Sequence, residues 1–157
     1  MRILSAVPIL GPGMFDKIKS NKLILHPSGS ESYGIIQAAP KFDLLEGGIY
    51  LRAGEHFGQG RGFGVRHIWA AHSADLAKFG CHEIEGVGTF ISTVVMAGSR
   101  VYCEFNNMRG NHRVTILRNP LGSLILEPRN ERRGFGYYVV TWYPNKMPKG
   151  TLVSRVG

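Results

Sequence analysis

Apolar residues follow a helical period in the middle of the chain and a strand period after it. Ile68, Trp69, Leu76 and Phe79 line one stripe, and Gly80 follows, which predicts a helix over Arg66–Phe79 closed by glycine. Val87, Phe90, Ile91, Val94 and Val95 fall at i, i+3, i+4, i+7 and i+8, which predicts a second helix over 87–97 ended by Gly98. Its β-branched residues lower helix propensity, but burial overrides that. From residue 101 the pattern alternates. VYCEF (101–105), HRVTILR (112–118), SLILE (123–127) and YYVVTWY (137–143) read as strands, and TLVSRV (151–156) as an edge strand. Asn119-Pro120-Leu121-Gly122 suits a type I turn and makes 112–127 a hairpin. Strict alternation puts Val139, Thr141 and Tyr143 on one face and Tyr138, Val140 and Trp142 on the other. Arg113 and Thr115 share a face.

Ile49–Leu51 is a short strand ending at Gly54. The preceding segment is poorly patterned, with turn signals at GPG (11–13), PSGSES (27–32) and Pro40. It reads as a lead-in, 1–47, that packs on a main domain, 48–157. The predicted class is α+β: helices first, then an antiparallel meander of about four strands with a helix on one face.

Composition narrows the function. The chain has 157 residues, 43% of them hydrophobic, which suits one folded domain. The apolar run ILSAVPIL is broken by Pro8, is too short to span a bilayer and lacks a convincing cleavage site. Two cysteines, Cys81 and Cys103, are consistent with a reducing compartment. The net charge is +8, and it is uneven: Met1–Ser99 holds nine Lys/Arg against eight Asp/Glu, Arg100–Gly157 ten against three. A basic final third suggests a polyanionic partner.

The chemistry concentrates in HFGQGRGFGVRHIWAAH (56–72). His67 and His72 lie five apart, so on a helix they diverge by about 140°. Zinc helices use i and i+4, so no metal or other cofactor is expected. Two imidazoles, in contrast, can hold opposite protonation states near neutrality. RNA carries its own nucleophile, the 2′-OH. A metal-free ribonuclease needs a base, an acid and donors for the phosphorane-like charge. The glycines permit close approach to phosphate, and the helix start offers N–H groups.

The order Ile49-x-Leu51-x-x-Gly54-x-His56, then Gly62-Phe63-Gly64-x-x-His67-Ile68-x-x-x-His72, resembles phage- and polymorphic-toxin-associated nuclease domains of the barnase–EndoU–colicin–RelE-like grouping. RVTILRNPLGSLILEPR and YYVVTWY continue the resemblance, which covers about 48–157. It implies N-terminal helices packed on a curved antiparallel sheet whose concave face holds the site. It implies metal-independent endoribonuclease activity, often on tRNA, in the cytoplasm of a target bacterium, with delivery in a secreted or phage-borne polypeptide. Carried over, His56 and His67 are base and acid in either order, with His72 in reserve. Arg113 and Thr141 bind the scissile phosphate, with Arg118 as the alternative cation, and Tyr143 orients the phosphate or stacks a base. Arg66, Arg132, Arg133 and Lys146 join Arg118 as RNA-binding residues. The family's lysine has no match in the strand region. RNA is the expected partner, together with an acidic immunity protein, and no membrane. The competing readings are a non-catalytic nucleic-acid-binding module and a degenerate virion-associated domain of the same fold.

Overall fold

The computed structural model describes residues 13–109, 112–145 and 150–157, with the side chains of all of these except 14, 105–109 and 112–114. Its elements are β1 (Ile35–Ile36), β2 (Gly47–Tyr50), β3 (Glu55–Gly58), β4 (Arg61–Phe63), α1 (Gly64–Lys78), α2 (Val87–Val94), β5 (Arg100–Arg109), β6 (His112–Asn119), β7 (Gly122–Glu131), β8 (Gly134–Tyr143) and β9 (Thr151–Arg155). Seven strands form one sheet in the order β9-β5-β6-β7-β8-β2-β1, and β3–β4 is a separate hairpin. All the pairs in the sheet are antiparallel except β2–β8, which is parallel, with Gly48 to Tyr50 opposite Gly136 to Tyr138.

The two ends of this sheet meet. Ile36 bridges Val156, the Gln37 N–H donates to the Arg155 carbonyl (3.1 Å), and the Gly157 N–H donates to the Ile35 carbonyl (2.9 Å). Bulges at Glu104/Met108, Ile125/Leu126 and Leu152/Ser154 interrupt the ladders, and bulges bend and twist the strands that carry them. The sheet therefore curls into a nearly closed barrel.

The barrel is filled by its helices. Val87, Phe90, Ile91 and Val94 of α2 and Val65, Ile68 and Leu76 of α1 share one core with Ile36, Ile49, Leu117, Leu124, Val139 and Trp142. Trp142 is fully buried and meets Phe90 edge-on, centroids 5.0 Å apart. The Asn119 side chain, in the β6–β7 turn, donates to the Val94 carbonyl and so caps the C-terminal end of α2. Among the described residues no helix is long and apolar enough to cross a membrane.

This architecture overturns the expected class of N-terminal helices packed on a curved antiparallel sheet of about four strands. The meander β5–β8 and its 119–122 turn are present, but strands precede the helices, and the sheet has seven. The reason is length: β1 has two residues and β2 reads GGIY, too little for a period of two to show. TLVSRV is not an edge either, since β9 pairs with β5 and its continuation meets β1. Strict alternation fails on β8 as well. Leu126 faces Val139 and Ile125 faces Thr141, so Val140 is the extra residue of a bulge. Val139 and Trp142 enter the main core, while Val140 packs outside with Ile116, Ile125 and Phe63. Of the helical stripe, Ile68 and Leu76 are buried but Phe79 is exposed, and α2 stops at Val94, three residues short of the expected end.

Closure makes a direct statement about the chain end. In hydrogen exchange followed by NMR, the amides of Gln37, Val156 and Gly157 are expected to be protected like sheet interior. Exchange at the rate of an unstructured terminus would mean an open sheet.

Candidate active site

The glycine-rich stretch is a hairpin rather than a loop. Glu55 pairs with Phe63, and His56 with Gly62. A Cβ on Gly58 or Gly60, near the tip, would meet nothing within 4 Å, whereas one on Gly62 (φ +144°) would lie 2.4 Å from the Glu55 carbonyl oxygen and 2.7 Å from Nδ1 of His67. At its base, a Cβ on Gly54 would lie 1.8 Å from the Phe63 carbonyl oxygen. These two glycines let the hairpin close on itself and on the first turn of α1. The close approach expected for phosphate is taken by the protein itself.

The helix start is also occupied. The Val65 N–H donates to the Arg52 carbonyl (3.0 Å) and the Arg66 N–H to the Ala53 carbonyl (2.9 Å). Two of the four groups that open a helix are therefore unavailable to a ligand. The Arg66 guanidinium donates to the carbonyls of Gly54 (2.8 Å), Phe15 and Ile18. Its chemistry is spent tying the lead-in to α1, which removes it from the expected RNA contacts.

What the hairpin does present is an imidazole pair. Nδ1 of His56 lies 3.0 Å from Nδ1 of His67, with the rings stacked 5.3 Å apart at 24°. His56 is exposed and His67 is only 4% exposed. Burial lowers the His67 pKa below 6.5, and the nearby imidazoles of His56 and His72 lower it further. Burial therefore favours a neutral His67 ring, and a single Nδ1–H is shared between the two Nδ1 atoms. His72 is the third ring within electrostatic reach. The helix leaves regular geometry at His72 (φ −134°, ψ 22°). Its ring is held by Asp75, Nδ1 to Oδ2 3.3 Å, and stands edge-on to Tyr143 at 5.3 Å and Trp142 at 5.8 Å.

The other expected residues divide. Tyr143 joins the patch through His72 and is 37% exposed. Thr141 is 5% exposed, and its Oγ1 has no hydrogen-bond partner among the described residues, so it underlies the face rather than meeting a phosphate at the surface. Arg118 is half-buried, with its guanidinium carbon over the Tyr102 ring, 3.5 Å from the centroid. Arg132 and Arg133 are exposed at the β7–β8 turn, at the opposite end of β8 from Tyr143, about 30 Å along the strand. The Arg113 side chain and Lys146 lie outside the described residues.

One residue escaped the sequence reading. Arg52 is 6% exposed, with its guanidinium 4.1 Å over the Phe63 ring and 5.0 Å over that of Tyr138. Burial and Arg129 disfavour its charge, and Glu127 and Glu131 favour it. It clamps the hairpin strand β4 to the outer face of the sheet. The signal is only three-dimensional: an arginine after GGIYL looks like any exposed strand end. Among the described residues no group of three or more His, Cys, Asp or Glu is placed to hold a metal ion. No family model, curated protein or solved structure matches the chain.

Two outcomes test the geometry. Gly62→Ala is expected to cost about 1 kcal/mol or more in urea unfolding and to separate the two rings, seen as altered histidine NMR signals. A depressed His67 pKa also makes stability depend on pH. Below 6.5 the unfolded chain binds a proton that the folded chain refuses until its lower pKa, so stability is full above 6.5 and falls as pH drops through that window. Melting temperatures of wild type and His67→Gln between pH 8 and 5 should show a shallower loss in the variant.

Proposed function

We propose that the chain is a metal-independent endoribonuclease and that His56 is its proton acceptor. The observation that carries this reading is the 3.0 Å bond between an exposed and a buried imidazole. With Nδ1–H of His56 donated to Nδ1 of His67, Nε2 of His56 is bare and open to solvent. It takes the 2′-OH proton as O2′ attacks phosphorus. The resulting imidazolium keeps donating to neutral His67, now through a charge-assisted hydrogen bond. The role is that of the orienting partner in a triad, so His67 positions and does not act as the acid.

The second proton carrier is then His72, oriented by Asp75 beside exposed Tyr143. It protonates O5′ as the P–O5′ bond breaks, leaving a 2′,3′-cyclic phosphate and a 5′-OH end. Both steps need only histidine chemistry near neutrality. Support also comes from the excess positive charge of the strand-rich final third and from the resemblance in H…GFG…HI…H. The same reading carries an acidic neutralising protein as partner.

In the presence of EDTA the purified protein should cleave RNA to cyclic-phosphate ends. His56→Gln should lower kcat/KM by about 10²–10⁴-fold. His67→Gln should lower it less and move the acidic limb of the pH profile, the signature of a positioning residue. Wild-type activity shared equally by His56→Gln would refute the assignment.

A further inference from the structure

The β3–β4 hairpin also puts a phenyl ring into solvent beside the imidazole pair. Phe57 is 58% exposed and belongs to neither hydrophobic cluster of the described residues. A lone apolar side chain in water is ordinary, but the backbone under this one is not. His56 faces Gly62 and Gly58 faces Arg61, so Phe57 is the extra residue of a bulge. In a regular strand Phe57 would point to the opposite face from His56. A bulge breaks that alternation and re-aims the side chain, here directly beside the exposed imidazole.

The hairpin tip is open around the ring. A Cβ at Gly58 (φ +143°) or Gly60 (φ +70°) would meet nothing within 4 Å, so the tip stands clear of the rest of the fold. Arg61 is exposed and is the register partner of Gly58, which sets a cation one step beyond Phe57 on the way from His56 to the tip. The acid of the hairpin, Glu55, lies on the other side of His56, opposite Phe63. An exposed aromatic ring next to a cation suits single-stranded nucleic acid, whose bases stack on the ring while its backbone meets the charge. A phenyl ring has no hydrogen-bonding group, so it holds a base without selecting one.

We propose that Phe57 stacks the base of the nucleotide whose 2′-OH attacks, and that Arg61 holds the phosphate on that nucleotide's 5′ side. The position of the base rests on the nuclease reading: the hydroxyl that His56 deprotonates and the base beside it belong to one ribose, the one 5′ of the cut. The side of the leaving O5′ falls at His72 and Tyr143, at the rim where β8 ends. His56 and the Gly58–Arg61 pair are separated by roughly 7 Å of strand, about the reach of one nucleotide. The RNA therefore runs with its 5′ end toward the hairpin tip.

Two measurements test this. Fluorescence-anisotropy binding of a fully 2′-O-methylated, uncleavable oligoribonucleotide reads the platform alone. Phe57→Ala is expected to weaken binding about 5-fold or more, and Phe57→Trp to keep it. Arg61→Gln should flatten the slope of log K against log salt by about 0.7, the share of one phosphate contact to a single strand. Both side chains are exposed, so these variants keep the fold. Cleavage of an oligonucleotide with a single 2′-OH, on a nucleotide that either keeps its base or is abasic, reads the position. Loss of that base should lower kcat/KM of wild type about 5-fold or more and have no effect in Phe57→Ala. Unchanged binding by Phe57→Ala, an equal base effect in both proteins, or no binding by wild type would overturn the platform, and an unchanged slope would remove the Arg61 contact. Cleavage by wild type with any of those outcomes leaves the nuclease standing. Binding that depends on Phe57 without cleavage removes the nuclease, and with it the assignment to the 5′ nucleotide, and leaves the platform.

Discussion

The backbone at Gly62 passes so close to the His67 ring that no side chain fits between them. A Cβ there would stand 2.7 Å from Nδ1, inside any contact a real carbon tolerates. Because that position is glycine, the β3–β4 hairpin settles onto the first turn of α1, and His56, the register partner of Gly62, comes within hydrogen-bond distance of His67. The rest of the hairpin's seat follows from the same approach. The carbonyls of Arg52 and Ala53 satisfy the opening N–H groups of the helix, and the Arg52 side chain holds Phe63 from outside. The pair is thus set by backbone geometry rather than by flexible side chains, the fixity that the proposed proton acceptor requires.

The barrel supplies the rigid body. The sheet closes around α2, with the Ile36–Val156 seam joining its first and last described strands. α1 packs on β8, so the ring of His72 meets Trp142 of the core and Tyr143 of the rim together. A site at the junction of hairpin, helix and rim keeps one imidazole dry and one wet. That difference in burial, more than the identity of the residues, separates the roles proposed for His56 and His67.

The sequence made some of this legible and hid the rest for physical reasons. α1, α2 and the strands of β5–β8 show because each is long enough for its period to repeat. The pairing of His56 with His67 was expected only from the resemblance carried by H…GFG…HI, their direct contact depends on the hairpin, and glycines at 58, 60, 62 and 64 look like a loop. Strands of two to four residues carry no alternation, so the seven-stranded closure was invisible. The Val140 bulge shifts Thr141 relative to Val139, and nothing in YYVVTWY announces it. Arg66 was expected to meet RNA and Arg52 drew no reading, because their partners, backbone carbonyls including those of the lead-in and the faces of Phe63 and Tyr138, are distant in sequence or leave no pattern.

The measurement closest to the core of the account is long-range ¹H–¹⁵N NMR of the histidine side chains at neutral pH. It reports which nitrogen of each ring carries the proton. His56 should carry hydrogen on Nδ1 with Nε2 bare, and its Nδ1–H should show hydrogen-bond coupling to Nδ1 of a neutral His67. A proton on Nε2 of His56, or no coupling between the rings, would contradict the assignment of His56 as the group that accepts a proton from RNA.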